Sequence, residues 1–465
     1  MKRKFIKIVN YKIAIVLGFF LLGCGGSGGG NESEITPPPP PEPAFKLTLR
    51  QETSCDPDAP LPNANVIVHE ESPLLNYDVP FKSYTTDANG VLELDLSRNE
   101  KVSFSVVSND KNGDTRIDSF IDLDVGVYDL TVQTYPYSSI EEDCECRIVS
   151  VDAVVNTGLD FGSISHANIY WGPGIKSYNI DYSDNVNFRD VEVCGLEQRD
   201  YPLVVSLVDN QDNHHYGYKD VSNANDLSTP VVIDYVSLDI EKPVKEREYR
   251  VLSWFEIGRG QFLRYGTSSA TYKAFTDFSL ASPFYILSSP IPATYNGQPD
   301  SSDFATSGTL RVRDFSEDSS IDWMPEFQPS TEVNLLHDEE NRLFTIESDV
   351  INQNSNVKYT YFHFSFLDFS RLDWFIYSPG NTTITMPKLT EDLEVKLAQG
   401  SLRSVTISLK EVNDGDDFSS AVKSLRFNDS STGLWSRSVP QSSLDLWFRD
   451  RRQSSSTSSQ HKNLP

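Results

Sequence analysis

KVSFSVVSNDKNGDTRIDSFIDL, residues 101–123, decides the fold. Both halves, KVSFSVVS and RIDSFIDL, are short, rich in Val, Ile, Phe and Ser, and broadly alternate apolar with polar positions. That is the period of a strand with one face on a core. Between them Asn112-Gly113 offers the positive φ angles of a tight turn. The stretch predicts a β-hairpin, and the same grammar continues on both sides of it.

Outward from the hairpin, FKLTLRQ, NANVIVHE, FKSYTT, GVLELDL and VYDLTVQT complete seven candidate strands over residues 45–134, which suits a β-sandwich. PNANVIV at 62–68 resembles the opening strand of carboxypeptidase-regulatory-like, transthyretin-type domains. TDANG at 86–90 is similar to that family's turn, and GVYDLTV at 126–132 to its closing strand. The resemblance covers about a fifth of the chain. It implies a β-sandwich module appended to an exported protein, and it carries no activity with it.

Residues 147–290 predict a second β domain, from RIVSVDAVV through YRVLSWFEI and FLRYG. A Pro/Ser/Asn/Gly-rich break follows at 288–303. Residues 305–448 predict a third, with GTLRVRDF, VKYTYFHFSF, DWFIY, LEVKLA and SVTISLKEV among its strands. Residues 453–465 are Ser-rich and predicted disordered. Across 465 residues there are 26 Phe, 21 Tyr and 6 Trp against 3 Met, and no long helical periodicity. The expected class is all-β, with about three β-sandwich domains in tandem. The net charge of −27 argues against nucleic acid as a partner, because phosphate would be repelled.

The chain opens with Lys2, Arg3, Lys4, Lys7 and Lys12, then an apolar run from Ile13 to Leu22. That run is short for a membrane span and reads as a secretory leader over residues 1–23. Leu21-Leu22-Gly23-Cys24 resembles the lipobox of bacterial lipoproteins. The resemblance implies lipidation of Cys24, membrane lipid as a partner, and an outer-membrane address, since Gly25 is not the aspartate that favours inner-membrane retention. Residues 24–44 then form a tether, flexible through GGSGGG and stiff through Pro37 to Pro43.

Cys55, Cys144, Cys146 and Cys194 remain, an even number that suggests two disulfides in an oxidising compartment. Cys55 with Cys144 and Cys146 with Cys194 is the favoured pairing, with the crossed pairing close behind and a zinc site as a rival. A calcium site is the second reading of the hairpin. Asp110, Asn112 and Asp114 take the first, third and fifth positions of a calcium loop, and Asp118 the ninth. Thr115 stands where such a loop needs glycine, and Ile121 where it needs a bidentate acid.

His214 and His215, near Asp209 and Asp212, read as a polar loop, and His337 in HDEEN likewise. In VKYTYFHFSF, alternation puts Phe362, Phe364 and Phe366 on one face and Tyr359, Tyr361 and His363 on the other. The second face is either core or a stacking platform for a sugar ligand. No zincin helix, phosphate loop or Ser-His-Asp arrangement is present. The sequence therefore predicts a non-catalytic envelope protein that binds glycan or protein. A polysaccharide-acting enzyme with an acidic pair and a structural subunit of an envelope assembly are the alternatives.

Overall fold

Alternation over residues 45–132 yields seven strands of four or more residues: β1 (Phe45–Gln51), β2 (Asn65–His69), β3 (Phe81–Thr85), β4 (Val91–Leu94), β5 (Lys101–Asn109), β6 (Thr115–Asp124) and β7 (Val127–Val132). The computed structural model describes residues 45–449 less 52–58, 75, 97–98, 110–113, 133–145, 171–178, 182–184, 195–200, 212, 222–226, 242–249, 258–260, 268–270, 275–281, 291–293, 296–303, 313–331, 339–341, 350–356, 358, 368–370, 381, 413–416, 428–433 and 437–440. β5 and β6 pair antiparallel from Lys101 opposite Asp124 to Asn109 opposite Thr115, which is the predicted hairpin.

TDANG makes the turn into β4. Asp87 Oδ1 accepts from Asn89 N at 2.9 Å and Val91 N at 2.8 Å. Gly90 sits at φ +75°, and a Cβ there would lie 2.3 Å from Leu49 O, so both conformation and contact demand glycine. β1 pairs antiparallel with β4 and parallel with β7. This small sheet covers one face of β2, β5 and β6, burying Phe45, Leu47, Val66, Phe104, Phe120 and Tyr128 between them.

A second sandwich follows: β8 (Cys146–Val155), β9 (Ile164–Tyr170), β10 (Val186–Cys194), β11 (Tyr201–Asp209), β12 (His214–Val221) and β13 (Val231–Ile233). One sheet carries β9-β11-β12 and the other β10-β8-β13. Their core of Val151, Phe188, Val205, Leu207 and Val231 comes from this stretch alone. A Cβ on Gly217 would lie 1.9 Å from Val232 O, so glycine permits the close approach of β12 to β13.

The rest of the chain adds β14 (Arg250–Ile257), β15 (Gln261–Thr267), β16 (Ser282–Pro290), β17 (Phe304–Val312), β18 (Tyr359–Leu367) and β19 (Arg371–Pro379). Helix α1 (Glu391–Gln399), β20 (Ser401–Val412), helix α2 (Phe418–Ser424) and β21 (Gln441–Arg449) complete it. Twelve strands form one sheet in the order β15-β14-β16-β17-β21-β20-β18-β19-β6-β5-β2-β3. Its joint is a parallel ladder between β6 and β19, from Thr115 opposite Leu372 to Phe120 opposite Tyr377.

The all-β class stands, and strand pairing runs across the boundaries expected from the sequence. β14, β15 and β16, expected within 147–290, belong to the large sheet. β16 and β17 pair directly across the break expected at 288–303. The stretches 45–134 and 305–448 share one sheet through β6 and β19. LEVKLA, expected as a strand, lies in α1: Glu391, Asp392 and Glu394 favour a helix N-terminus, and Leu393 is buried while Val395 is exposed. A core lies on each face of the large sheet. Trp374, Phe362, Phe364, Ile407 and Leu446 occupy the face under α1 and the strand Leu343–Glu347. Among the described residues no helix is long and apolar enough to cross a membrane.

Candidate functional site

Directly paired residues on neighbouring strands share a sheet face. Followed from β6 across the large sheet, one row reads Asp118, Phe375, His363, Thr406, Trp447 and Ala305. Beside it lie Arg116, Asp373, Ser365 and Ser404, and on the other side Phe120, Tyr377, Tyr361, Ser408 and Asp445. The face is closed at one end and open at the other.

At the closed end, Arg116 and Asp118 are two apart on β6 and so point the same way. The Arg116 guanidinium forks onto the Asp118 carboxylate, Nε to Oδ2 at 2.9 Å and Nη2 to Oδ1 at 3.0 Å, with both side chains buried. The guanidinium also lies 3.9 Å over the Phe375 ring. On the next strand His363 stacks on Phe375 at 4.2 Å and 9°. The His363 ring Nε2–H donates to Asp373 Oδ1 at 3.1 Å, and Arg371 Nε donates to Asp373 Oδ2 at 2.6 Å.

Burial pushes the Asp118 carboxyl above its usual range, against the opposing pull of Arg116. Burial works against the charge on Arg116 as well, but the Asp118 carboxylate outweighs it and holds the guanidinium firmly protonated. The buried phenols of Tyr361 and Tyr377 are pushed well up, first by burial, and their oxygens have no hydrogen-bond partner among the described residues.

Both buried carboxylates thus have cationic partners, and the cluster fixes β6 against β19. Around it, Phe120 stacks on Tyr377 at 5.0 Å, Trp374 Nε1 donates to Ser119 Oγ at 2.8 Å, and Arg371 N donates to Asp114 Oδ1 at 2.8 Å.

At the open end the side chains emerge. Thr406 and Ser404 are half-buried and Trp447 is 39% exposed, while the His363 side chain is only 12% exposed. Ser408 donates to Asp445, and Lys410 Nζ lies 4.0 Å from the same carboxylate.

The residues singled out in the sequence fall as follows. Cys24, Cys55, Cys144, Asp110 and Asn112 lie outside the described residues. Cys146 stands directly opposite Cys194 in the ladder of β8 and β10. Of the calcium set, Asp114 accepts from Arg371 N, while Asp118 is turned inward onto Arg116. Asp118 is therefore corrected from cation ligand to ion-pair partner, because a guanidinium two residues away on the same face reaches it first. Among the described residues no group of three or more His, Cys, Asp or Glu is placed to hold a metal.

Tyr359 and Tyr361 are 1% and 2% exposed, so neither ring is a platform for a sugar. Phe418 of α2 packs on Tyr359, and the N-terminal sandwich shares its core with both tyrosines. His363 is the least buried of the trio, its side chain 12% exposed and held by Asp373. His214 and His215 are likewise corrected, from loop to strand β12, where both are buried. His215 Nδ1 lies 2.7 Å from Thr157 Oγ1, and burial lowers its proton affinity. His337 is exposed and stacks on Phe344 at 4.1 Å.

Arg116, Asp373 and Trp447 were missed. A signal for Trp447 exists in LDLWFR, where Leu446 and Phe448 alternate towards the core and leave Trp447 on the far face. No family model matches the chain, and no curated protein matches it.

Proposed function

We propose that this chain is a lipid-anchored outer-membrane protein that presents β structure for adhesion to glycan or protein, without catalysis of its own. Cys24 would carry the lipid, with residues 24–44 as the tether and a transthyretin-type sandwich as the first folded element beyond it. More than one acyl chain is needed for stable anchoring.

The observation that carries the binding reading is Trp447, a large aromatic standing 39% exposed among half-buried hydroxyls at the open end of a sheet face. An amphipathic ring of this kind supplies contact area at low entropic cost, which is why tryptophan is enriched at interfaces. The polysaccharide-cleaving alternative finds less support. Glycoside hydrolysis needs one protonated acid and one open carboxylate flanking the bond. Asp118 and Asp373 are buried and already paired with Arg116, His363 and Arg371.

Two measurements test the reading. Palmitate labelling should mark the wild type and fail for Cys24→Ala, which should leave the membrane fraction; retention of the variant there would end the lipid anchor. Protease shaving should degrade the β structure in intact cells. Protection until the outer membrane is permeabilised would end the adhesin reading and turn attention to periplasmic partners.

A further inference from the structure

Among the described residues Lys410, on β20, is the one buried lysine, 2% exposed. Lysine is almost never buried to that extent without a counter-charge. Here the counter-charge is Asp445 on the neighbouring strand β21, itself 9% exposed. In the ladder Lys410 stands opposite Ser443 and Ser408 opposite Asp445, so the two charged residues are diagonal neighbours. Diagonal positions lie about 7–8 Å apart, a gap that a long side chain spans. Lys410 Nζ comes to 4.0 Å from Asp445 Oδ1. By contrast, Lys46–Glu93, Lys82–Glu70, Lys101–Asp124 and Lys388–Asp78 pair at the surface, with every side chain more than a third exposed.

The surroundings are dry. On the other flank of β20, Tyr359 pairs with Lys410 and Tyr361 with Ser408, and both rings are buried. Phe418 of α2 packs on Tyr359. Ser408, also buried, donates its hydroxyl to Asp445 Oδ1 and so fixes the carboxylate. In water an ammonium and a carboxylate do not condense, because solvation stabilises both ions. Burial withdraws that solvation and favours the neutral amine and acid. Proximity adds a second push, since reactants held together reach effective molarities of about 10⁵–10⁸ M. The flexible stem of lysine lets Nζ close to the about 3–3.5 Å that attack on a carboxyl carbon needs.

We propose that Lys410 and Asp445 condense to an intramolecular amide that ties β20 to β21. A proton passes from Nζ to the Asp445 carboxylate, and the Nζ lone pair attacks Cγ. Negative charge grows on Oδ1, where the Ser408 O–H already stands to stabilise it. The C–N bond is completed as the bond from Cγ to Oδ2 breaks. That oxygen leaves as one water, taking its second proton from the nitrogen, and no oxidant or reductant is consumed. The place of the bond gives it a consequence. In the large sheet β15, β14, β16, β17 and β21 lie on one side of this ladder, with β20, β18, β19, β6, β5, β2 and β3 on the other. One amide therefore joins the two parts of the sheet covalently. The inference is independent of the lipid anchor and of what the sheet binds.

The test uses the full-length chain, purified folded, then denatured and digested with trypsin. An acylated lysine resists trypsin, so cleavage after Lys410 should be lost. Mass spectrometry should find residues 404–423 joined to residues 438–449 as one branched peptide, lighter by one water than the two arms. Fragmentation should place the branch at Lys410 and Asp445. Lys410→Met and Asp445→Ala should each lose the branched peptide completely.

Two results would overturn the assignment. One is a wild-type digest in which 404–410 and 438–449 are recovered only as separate linear peptides, which would leave the pair as an ion pair. The other is a branched peptide that persists in Lys410→Met, which would place the link elsewhere. The wild-type digest decides by itself, so a variant that fails to fold leaves the answer intact.

Discussion

The sandwiches at 45–132 and 146–236 are made from similar parts and are closed in different ways. The middle one pairs two four-stranded sheets over a core drawn from its own residues. The N-terminal one leaves the edge of β6 to be paired by β19, and at that seam Asp114 accepts a hydrogen bond from Arg371, 257 residues further along the chain. Its core also takes in Tyr359, Tyr361, Phe375, Tyr377 and Phe418. The middle sandwich is a module in the ordinary sense. The N-terminal one is half of a larger object, and its stability belongs to both halves.

The sharpest way to break this comparison is at the seam. Asp118→Asn removes one partner of a buried ion pair and leaves the Arg116 guanidinium uncompensated, a loss of about 3–5 kcal/mol. Hydrogen exchange should show faster exchange at β6 and β19 together, with β8 and β11 unchanged. Equal loss of protection in the middle sandwich would mean that the two sandwiches unfold as one and that the contrast is false.

Next in size is the disulfide. Directly opposed residues of an antiparallel pair have Cα atoms about 4.5–5.5 Å apart, within the reach of a disulfide. Cys146 and Cys194 stand in that relation. Oxidation should join them, and Cys146→Ser should cost about 2–4 kcal/mol. Here the contrast predicts the reverse pattern: protection falls in β8 and β10 while β6 and β19 hold. Peptide mapping without reductant that linked Cys146 to Cys55 instead would refute the pairing.

Acid separates the two sandwiches by a comparable amount. His69 of β2 is buried edge-on against Phe81, neither ring nitrogen has a partner among the described residues, and burial lowers its pKa to about 4. The unfolded chain takes up this proton near pH 6.5. Stability is therefore full above about pH 6.5 and falls as pH drops towards 4, by about 3 kcal/mol in all. His215, the buried counterpart in the middle sandwich, keeps Thr157 and Asp209 beside its ring nitrogens, which offset part of the burial. Acid should loosen the N-terminal end first, and His69→Phe should flatten that dependence between pH 6.5 and 4. An unchanged profile in that variant would place the acid sensitivity elsewhere.

These contrasts also mark what was legible in the sequence. Local grammar was: the hairpin of β5 and β6, the Asp87–Gly90 turn, and the opposite facing of Phe362 and Tyr361 all follow from neighbours within a few residues. Period-two alternation says which residues share a face. It does not say which strand lies alongside. KVSFSVVS and RIDSFIDL predict a half-exposed hairpin, yet β6 is buried along almost all its length because β19 pairs one edge and cores cover both faces. The same blindness hid the open end of the sheet. Tyr361 and His363 alternate correctly, but their exposure is set by α2 and the N-terminal sandwich, and the aromatic ring left outside comes from β21.

The smallest expected effect is also the most informative about the seam. Replacing both members of the pair, Arg116→Met with Asp118→Leu, removes two desolvated charges and fills their space with apolar atoms beside Phe375. Buried pairs replaced in this way leave stability about unchanged or raise it by about 1–4 kcal/mol. A melt at or above wild type would mean that the ion pair contributes little stability over a well-packed apolar pair, even though breaking it alone is costly. Its contribution would then be specificity. A parallel ladder between strands so distant in sequence has no turn to set its register, and a slip by one residue would turn Phe375 and Asp373 to the opposite face. Arg116 stacks over one of them and stands opposite the other in the ladder, so only one alignment satisfies it. A double variant that keeps its stability but loses slow exchange at β19 would show this division of labour. One that loses several kcal/mol would show instead that the charges themselves hold the two halves together.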